Sequence, residues 1–154
     1  MSVRIFESVD SLRDLVGLEV AVTDWSILSQ EQIALFAEAT RDRQWIHLDE
    51  ERARRESPYG ATIAHGFLIV SLLSRLVQEA IQFRGGVRMV LNYGLNRVRF
   101  PAPVLAGSRI RGRITVQSFN ALQDSSEVIF SVIVETENCE KPCCAAEWII
   151  RYYS

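Results

Sequence analysis

The stretch Ala64-His65-Gly66-Phe67-Leu68-Ile69-Val70-Ser71-Leu72-Leu73-Ser74-Arg75-Leu76-Val77-Gln78-Glu79-Ala80-Ile81-Gln82 decides how this chain folds. Its polar positions Ser71, Ser74, Arg75, Gln78 and Gln82 recur at helical spacing and leave a wide apolar surface around the rest. The spacing predicts a helix from Ala64 or His65 to about Gln82, ended by Gly85-Gly86. A helix this apolar has to be wrapped, and the segments after it supply the wrapping.

Downstream, Arg88 to Phe100 reads as a long strand, broken by Pro101 and Pro103, which cannot donate to a ladder. Arg109 to Phe119 alternates, with arginines at 109, 111 and 113 on one face and Ile110, Ile114 and Val116 on the other. Glu127 to Thr136 and Ala145 to Tyr153 alternate as well, with turns at 120–126 and 137–142.

Upstream, Ser8 to Leu18 reads as an irregular approach with a short helix, and Glu19 to Thr23 as a brief strand. Ser29-Gln30-Glu31-Gln32 is a capping box for a helix that presents Ile33, Phe36, Ala37 and Thr40 and stops near Arg41. Asp49 to Glu56 is a charged turn or short helix, and Ser57-Pro58-Tyr59-Gly60 a loop. The sum is an α+β fold, a curved antiparallel sheet around one long helix, in a single domain over 1–154. Such a sheet leaves edges that a second copy of the chain would cover, giving a homodimer or an oligomer built from dimers.

Composition narrows the functional classes. With 17 basic against 19 acidic residues, a net charge of -2, no overall field draws the protein to nucleic acid or an anionic membrane. The start, Met1-Ser2-Val3-Arg4-Ile5-Phe6-Glu7, does not read as a secretion signal, and no apolar run approaches membrane-span length. Three cysteines, Cys139, Cys143 and Cys144, cannot all pair within one chain, so reduced thiols in the cytoplasm are expected. They have no nearby histidine, which speaks against a structural zinc. Trp25, Trp45 and Trp148 read as core or interface residues.

The chemistry sits just before the apolar helix. Asp42 and His47 lie five positions apart, and on one continuous helix they would point about 140° away from each other. They share a site only if the chain turns between them. The first N–H groups of the following helix lack intrahelical partners and suit negative charge. A carboxylate, an imidazole and such N–H groups together can hold a water and polarise a carbonyl. Taken alone, an aspartate and a histidine at this spacing more often cap or solvate a helix end.

The run Phe36-Ala37-Glu38-Ala39-Thr40-Arg41-Asp42-Arg43-Gln44-Trp45-Ile46-His47-Leu48-Asp49, then Ser57 to Leu72 with Ala64-His65-Gly66, resembles the MaoC-like dehydratases. That family includes (R)-specific enoyl-CoA hydratases of hotdog fold. The Gln-Trp-Ile-His segment is most similar to the nodulation protein N-like branch, and Asn96-Arg97-Val98-Arg99-Phe100-Pro101-Ala102-Pro103-Val104 extends the resemblance. It implies a hotdog fold and reversible hydration of a trans-2-enoyl thioester, carried by coenzyme A or an acyl carrier protein, without a metal or prosthetic group.

By the same resemblance Asp42 and His47 are the catalytic pair and the Gly66 N–H binds the thioester oxygen. Ser71, with Ile63, Ala64 and His65 around the helix head, falls on the substrate side. His65 itself reads as hydrogen-bonding support rather than a catalyst. Arg41 departs from the family, many of whose members have glycine before the aspartate; a displaced turn, or an Arg41–Asp42 pair, would weaken the site. Two other readings compete: a hotdog acyl-CoA thioesterase, and a noncatalytic acyl-thioester-binding protein. Arg97, Arg99, Arg109, Arg111 and Arg113 suit either the phosphates of coenzyme A or a solvated sheet face.

Overall fold

The structure, a computed structural model, describes residues 3–154. Met1 and Ser2, part of the stretch read for a secretion signal, lie outside the described residues. Strand β1 (Arg4–Phe6), a short 3-10 helix (Val9–Leu15), β2 (Glu19–Val22) and β3 (Ser26–Ile27) precede three helices, α1 (Gln30–Thr40), α2 (Trp45–Leu48) and α3 (Glu50–Glu56). Helices α4 (Gly66–Ser71) and α5 (Leu73–Ala80) follow, then β4 (Ile81–Phe83), β5 (Met89–Arg99), β6 (Arg109–Ala121), β7 (Ser125–Thr136) and β8 (Cys144–Tyr153).

A six-stranded sheet runs β2-β6-β7-β8-β5, with β3 also on β6, and these strands pair antiparallel. Alternation explains its two faces. Ile110, Ile114, Val116, Val128, Phe130, Val132, Val134, Trp148 and Ile150 turn inward and join Leu68, Ile69, Leu73, Leu76 and Val77 of α4 and α5 in one core. At Gly112 a side chain would sit 3.4 Å from Leu76 Cδ1, so the absence of one lets β6 run close against α5. This is the expected hotdog arrangement.

The long helix departs from expectation in two places. It is divided at Leu72, whose N–H is shared among the carbonyls of Leu68, Ile69 and Val70. The Ser71 hydroxyl donates to the Phe67 carbonyl at 2.8 Å, the kind of back-bonding that bends helices. It also ends at Ala80 rather than Gln82, because Ile81–Phe83 pairs in parallel with Arg4–Phe6. Gln82 fits a helical polar stripe and an alternating strand equally well.

The outer face of the sheet carries a ladder of ion pairs. Arg109 meets Glu137 at 2.8 Å, Arg111 meets Glu135 at 2.5 Å, Arg113 meets Glu19 at 2.9 Å and Arg151 meets Glu127 at 2.9 Å. Three of the arginines considered for coenzyme A phosphates are therefore engaged with glutamates. The tryptophans divide: Trp148 is in the core, whereas Trp25 is exposed under Arg111 and Trp45 half-buried under Arg52. Of the core-or-interface expectation, Trp148 fills the core part, while the other two stack under a guanidinium at the surface.

The capping box forms as read: the Ser29 hydroxyl accepts from the Gln32 N–H, and the Gln32 side chain accepts from the Ser29 N–H, both at 3.1 Å. Helix α1 ends at Arg41, which takes a left-handed conformation with φ 66°. An L side chain there costs about 1–2 kcal/mol. Arg41→Gly is therefore expected to stabilise the protein by about 0.5–1 kcal/mol, after allowing for glycine's greater freedom in the unfolded chain. Urea denaturation measures it, and a less stable variant would contradict the assignment.

Candidate active site

The left-handed cap is what brings Asp42 and His47 together. Helix α1 stops, residues 41–44 turn without helix, and α2 starts again at Trp45 carrying His47. The Thr40 hydroxyl donates to the Phe36 carbonyl at 2.7 Å and accepts the Asp42 N–H at 3.4 Å, which fixes the near side of the turn. One side-chain donor atom each of Asp42, His47 and His65 then lies within 4.8 Å of the others. Asp42 is exposed and both imidazoles are buried. Among the described residues Arg41 forms no ion pair, so it does not mask the Asp42 carboxylate.

His47 is held in one tautomer. Its Nδ1 lies 2.7 Å from the Ile63 carbonyl, an acceptor only, so Nδ1 carries the proton and Nε2 of the neutral ring keeps its lone pair. Burial holds the His47 pKa below the ordinary 6.5, opposed by the bond to Ile63, with His65 lowering it further and Asp42 raising it. A brace from α1 supports it: the Gln30 amide donates to the His47 carbonyl at 2.7 Å, and the buried Thr62 hydroxyl donates to the Gln30 side-chain oxygen.

At the head of α4 the His65 carbonyl accepts the N–H groups of Leu68, at 3.0 Å, and Ile69, at 3.3 Å. The N–H groups of Gly66 and Phe67 have no carbonyl within the helix to bond. Gly66 faces a cavity of about 270 Å³ together with Ile63, Ala64, Ile69 and Phe100. A Cβ on Gly66 would meet the Phe100 ring at 3.0 Å, so the bare backbone is what that ring packs against. The Ala64 N–H is taken by the Val104 carbonyl at 2.8 Å, which leaves Gly66 as the better donor.

The expected substrate-side residues separate into three places. Ile63, Ala64 and Gly66 share the cavity just described, while the Ile63 carbonyl orients His47 on its other side. His65 turns toward the Asp42–His47 turn, its Nε2 lying 2.9 Å from the Asp42 carbonyl. Ser71 is exposed, bonded to its own helix, and lines a second cavity of about 240 Å³ between α4, α5 and β5. That cavity shares Ser74 and Trp148 with an apolar one of about 340 Å³ reaching Phe83. A larger cavity, about 770 Å³ beside Arg13, Gly86 and Tyr153, contains no residue of the site.

Asp42, His47 and His65 are also the donors that could hold a cation among the described residues. Two of their four imidazole nitrogens are committed to backbone carbonyls, and the rings stack 3.7 Å apart. The cysteines take no part in the turn. Burial pushes Cys143 up to about 12 and Cys144 up to about 11, and Cys139 is exposed. Iodoacetamide at pH 8 is expected to add once, at Cys139, and mass spectrometry showing two adducts on native protein would refute this.

Gln30, Thr62, Phe36 and Phe100 belong to the site but went unread. Each acts through a contact 16 or more residues away in sequence or through ring packing, for which neither spacing nor residue type gives a signal.

Comparison with known proteins identifies relatives of the whole chain. Over 150 residues the chain is 46% identical to the 3-hydroxyacyl-thioester dehydratase Z of Mycobacterium tuberculosis, covering 97% of this chain and 98% of that protein. It is 45% identical over 135 residues to nodulation protein N of Rhizobium leguminosarum bv. viciae, covering 87% and 84%. The solved structure of R-hydratase PhaJ1 from Pseudomonas aeruginosa superposes with a TM-score of 0.69 at 24% identity, covering 89% of this chain and 83% of that one. Residues 13–138 match the MaoC like domain. On that match and that identity, a chain whose turn pairs Asp42 with His47 beside Gly66 belongs to the MaoC-like dehydratase family.

Proposed function

We propose that the protein is an (R)-specific 2-enoyl-CoA hydratase, working in reverse as a 3-hydroxyacyl-CoA dehydratase. The observation that carries this is the meeting of the Asp42 carboxylate with a His47 ring whose Nε2 is free. Asp42 and His47 Nε2 hold one water. As its oxygen bonds C3 of the trans-2-enoyl thioester, the pair takes its proton, and the π electrons move toward the thioester oxygen. The Gly66 N–H receives that charge, and the proton returns to C2, giving the (3R)-3-hydroxyacyl thioester. Side chains and one backbone donor meet every requirement of the step, so no cofactor beyond the coenzyme A of the substrate is invoked.

Crotonyl-CoA tests the reading: the conjugated double bond is followed while free thiol is assayed in parallel. Loss of the double bond without thiol supports hydration. Thiol release would make the protein a thioesterase, and neither change a binding protein. Coupling the product to a 3R-specific dehydrogenase then checks the stereochemistry.

The pH profile follows from His47. Because burial lowers its pKa, the ring is unprotonated at pH 7 and serves as the base. The expected acidic limb of kcat/KM therefore falls below pH 6.5, where His47 gains a proton; a limb centred above that value would contradict the assignment. The same shift makes stability greatest above the unfolded value near 6.5 and lowers it as pH drops through the folded one.

The exposed side chains Met89, Val90, Leu91, Tyr93 and Leu95 lie on β5, the last strand of the sheet. We assign to this edge a second copy of the chain, joined strand to strand, and expect sedimentation at twice 17.5 kDa. Among the described residues no helix is long and apolar enough to cross a membrane. Free cysteines and a balanced charge accord with a cytoplasmic enzyme that binds neither nucleic acid nor lipid.

A further inference from the structure

We infer that His65 is a positioning residue, which locks the Asp42 backbone and the His47 ring into one unit with the head of α4. This role rests on the hydratase reading of the same site. Three contacts converge on a residue that is 2% exposed. Nε2 lies 2.9 Å from the Asp42 carbonyl, the ring stacks on His47 at 3.7 Å and 25°, and Phe36 packs on it at 5.0 Å. The backbone carbonyl of His65 meanwhile holds the first turn of α4.

The tautomer makes the point sharper. A carbonyl only accepts, so Nε2 carries the proton and Nδ1 is bare, and Nδ1 is buried with no partner. An unpartnered buried acceptor is unfavourable, and a hydrocarbon ring would pack between Phe36 and His47 without it. Packing alone thus gives no reason for an imidazole here. What the imidazole supplies is the Nε2–H bond to a peptide that needs holding, since Arg41 before it sits in a left-handed conformation. Loosening that bond lets the carboxylate drift from the water it shares with His47.

Two amide variants separate donor from bulk. The amide nitrogen of His65→Gln reaches about as far as Nε2, whereas that of His65→Asn stops at the level of Nδ1. With crotonyl-CoA, H65N is expected to lose about 10²-fold in kcat with KM changed less than about threefold, as a misplacement near 1 Å would produce. H65Q is expected to recover all but about fivefold. Should H65N not fold, H65F, which keeps a stacked ring and drops the donor, takes its place in the comparison with H65Q.

The pH profile adds a readout that a merely structural role would not move. The titratable groups acting on His47 are Asp42 in the turn and His65 on α4; α1 meets it with the neutral Gln30 and the 63 segment with a carbonyl. Replacing the His65 imidazole with an amide takes away an influence that lowers His47, so the acidic limb in H65Q should move up. Equal kcat in H65N and H65Q, or losses explained by melting temperature with the limb unmoved, overturns the role of His65 alone. An inactive wild type overturns the hydratase reading and this role with it.

Discussion

His47→Ala is expected to lower kcat for crotonyl-CoA hydration about 10³-fold while the chain stays folded. In the proposed step the ring is the group that takes a proton at neutral pH from a water held against Asp42. Its Nδ1–H, spent on the Ile63 carbonyl, leaves Nε2 nothing else to do among the described contacts. The substitution also deprives that carbonyl of its donor, so a modest drop in melting temperature accompanies the loss and must be measured beside it. Asp42→Asn should show a similar fall without that drop. Its side chain is exposed, and the fold grips Asp42 through its backbone, by way of His65 and Thr40. Either variant retaining more than about a tenth of wild-type kcat would leave the proposed water without its base.

Gly66→Ala carries the second large effect. Gly66 needs no left-handed backbone, so alanine is permitted by conformation but crowded: its Cβ would meet three atoms of the Phe100 ring at 3.0–3.1 Å, and ring or helix must give by a few tenths of an ångström. Either the ring swings away or the head of α4 yields. In the second case the N–H turns from the thioester oxygen, and losing one such donor costs about 10²–10³-fold in kcat. Phe100 is partly exposed and touches Phe67 edge-on, so it can be trimmed with little harm to the core. The double variant Gly66→Ala, Phe100→Ala should therefore recover at least about tenfold over Gly66→Ala alone. No recovery would mean that the loss has another origin than crowding.

The sheet and the apolar helix were legible because each is a repeating pattern: inward Ile110, Ile114 and Val116 alternate with Arg109, Arg111 and Arg113 as a half-buried strand must. Asp42 and His47 were legible as a pair through their setting, and the turn that unites them through the end of α1 at Arg41. Less visible was whatever depends on a distant partner. Ile81–Phe83 becomes a strand only because Arg4–Phe6 lies beside it, and Ser26–Ile27 because β6 does. The brace from Gln30 to Thr62 spans two elements that carry no pattern in common. Trp25 and Trp45 lie outside the core under Arg111 and Arg52, a pairing across the surface that composition does not foretell.

The ion-pair ladder on the outside of the sheet bears on what delivers the substrate. Arg113 reaches both Glu19 and Glu135, so β2, β6 and β7 are laced together by cations already neutralised. That wall is electrically quiet. Arg54, Arg55 and Arg97, by contrast, form no ion pair among the described residues. An anionic carrier would have to displace a glutamate to bind along that wall, and no such exchange is needed at these three guanidiniums.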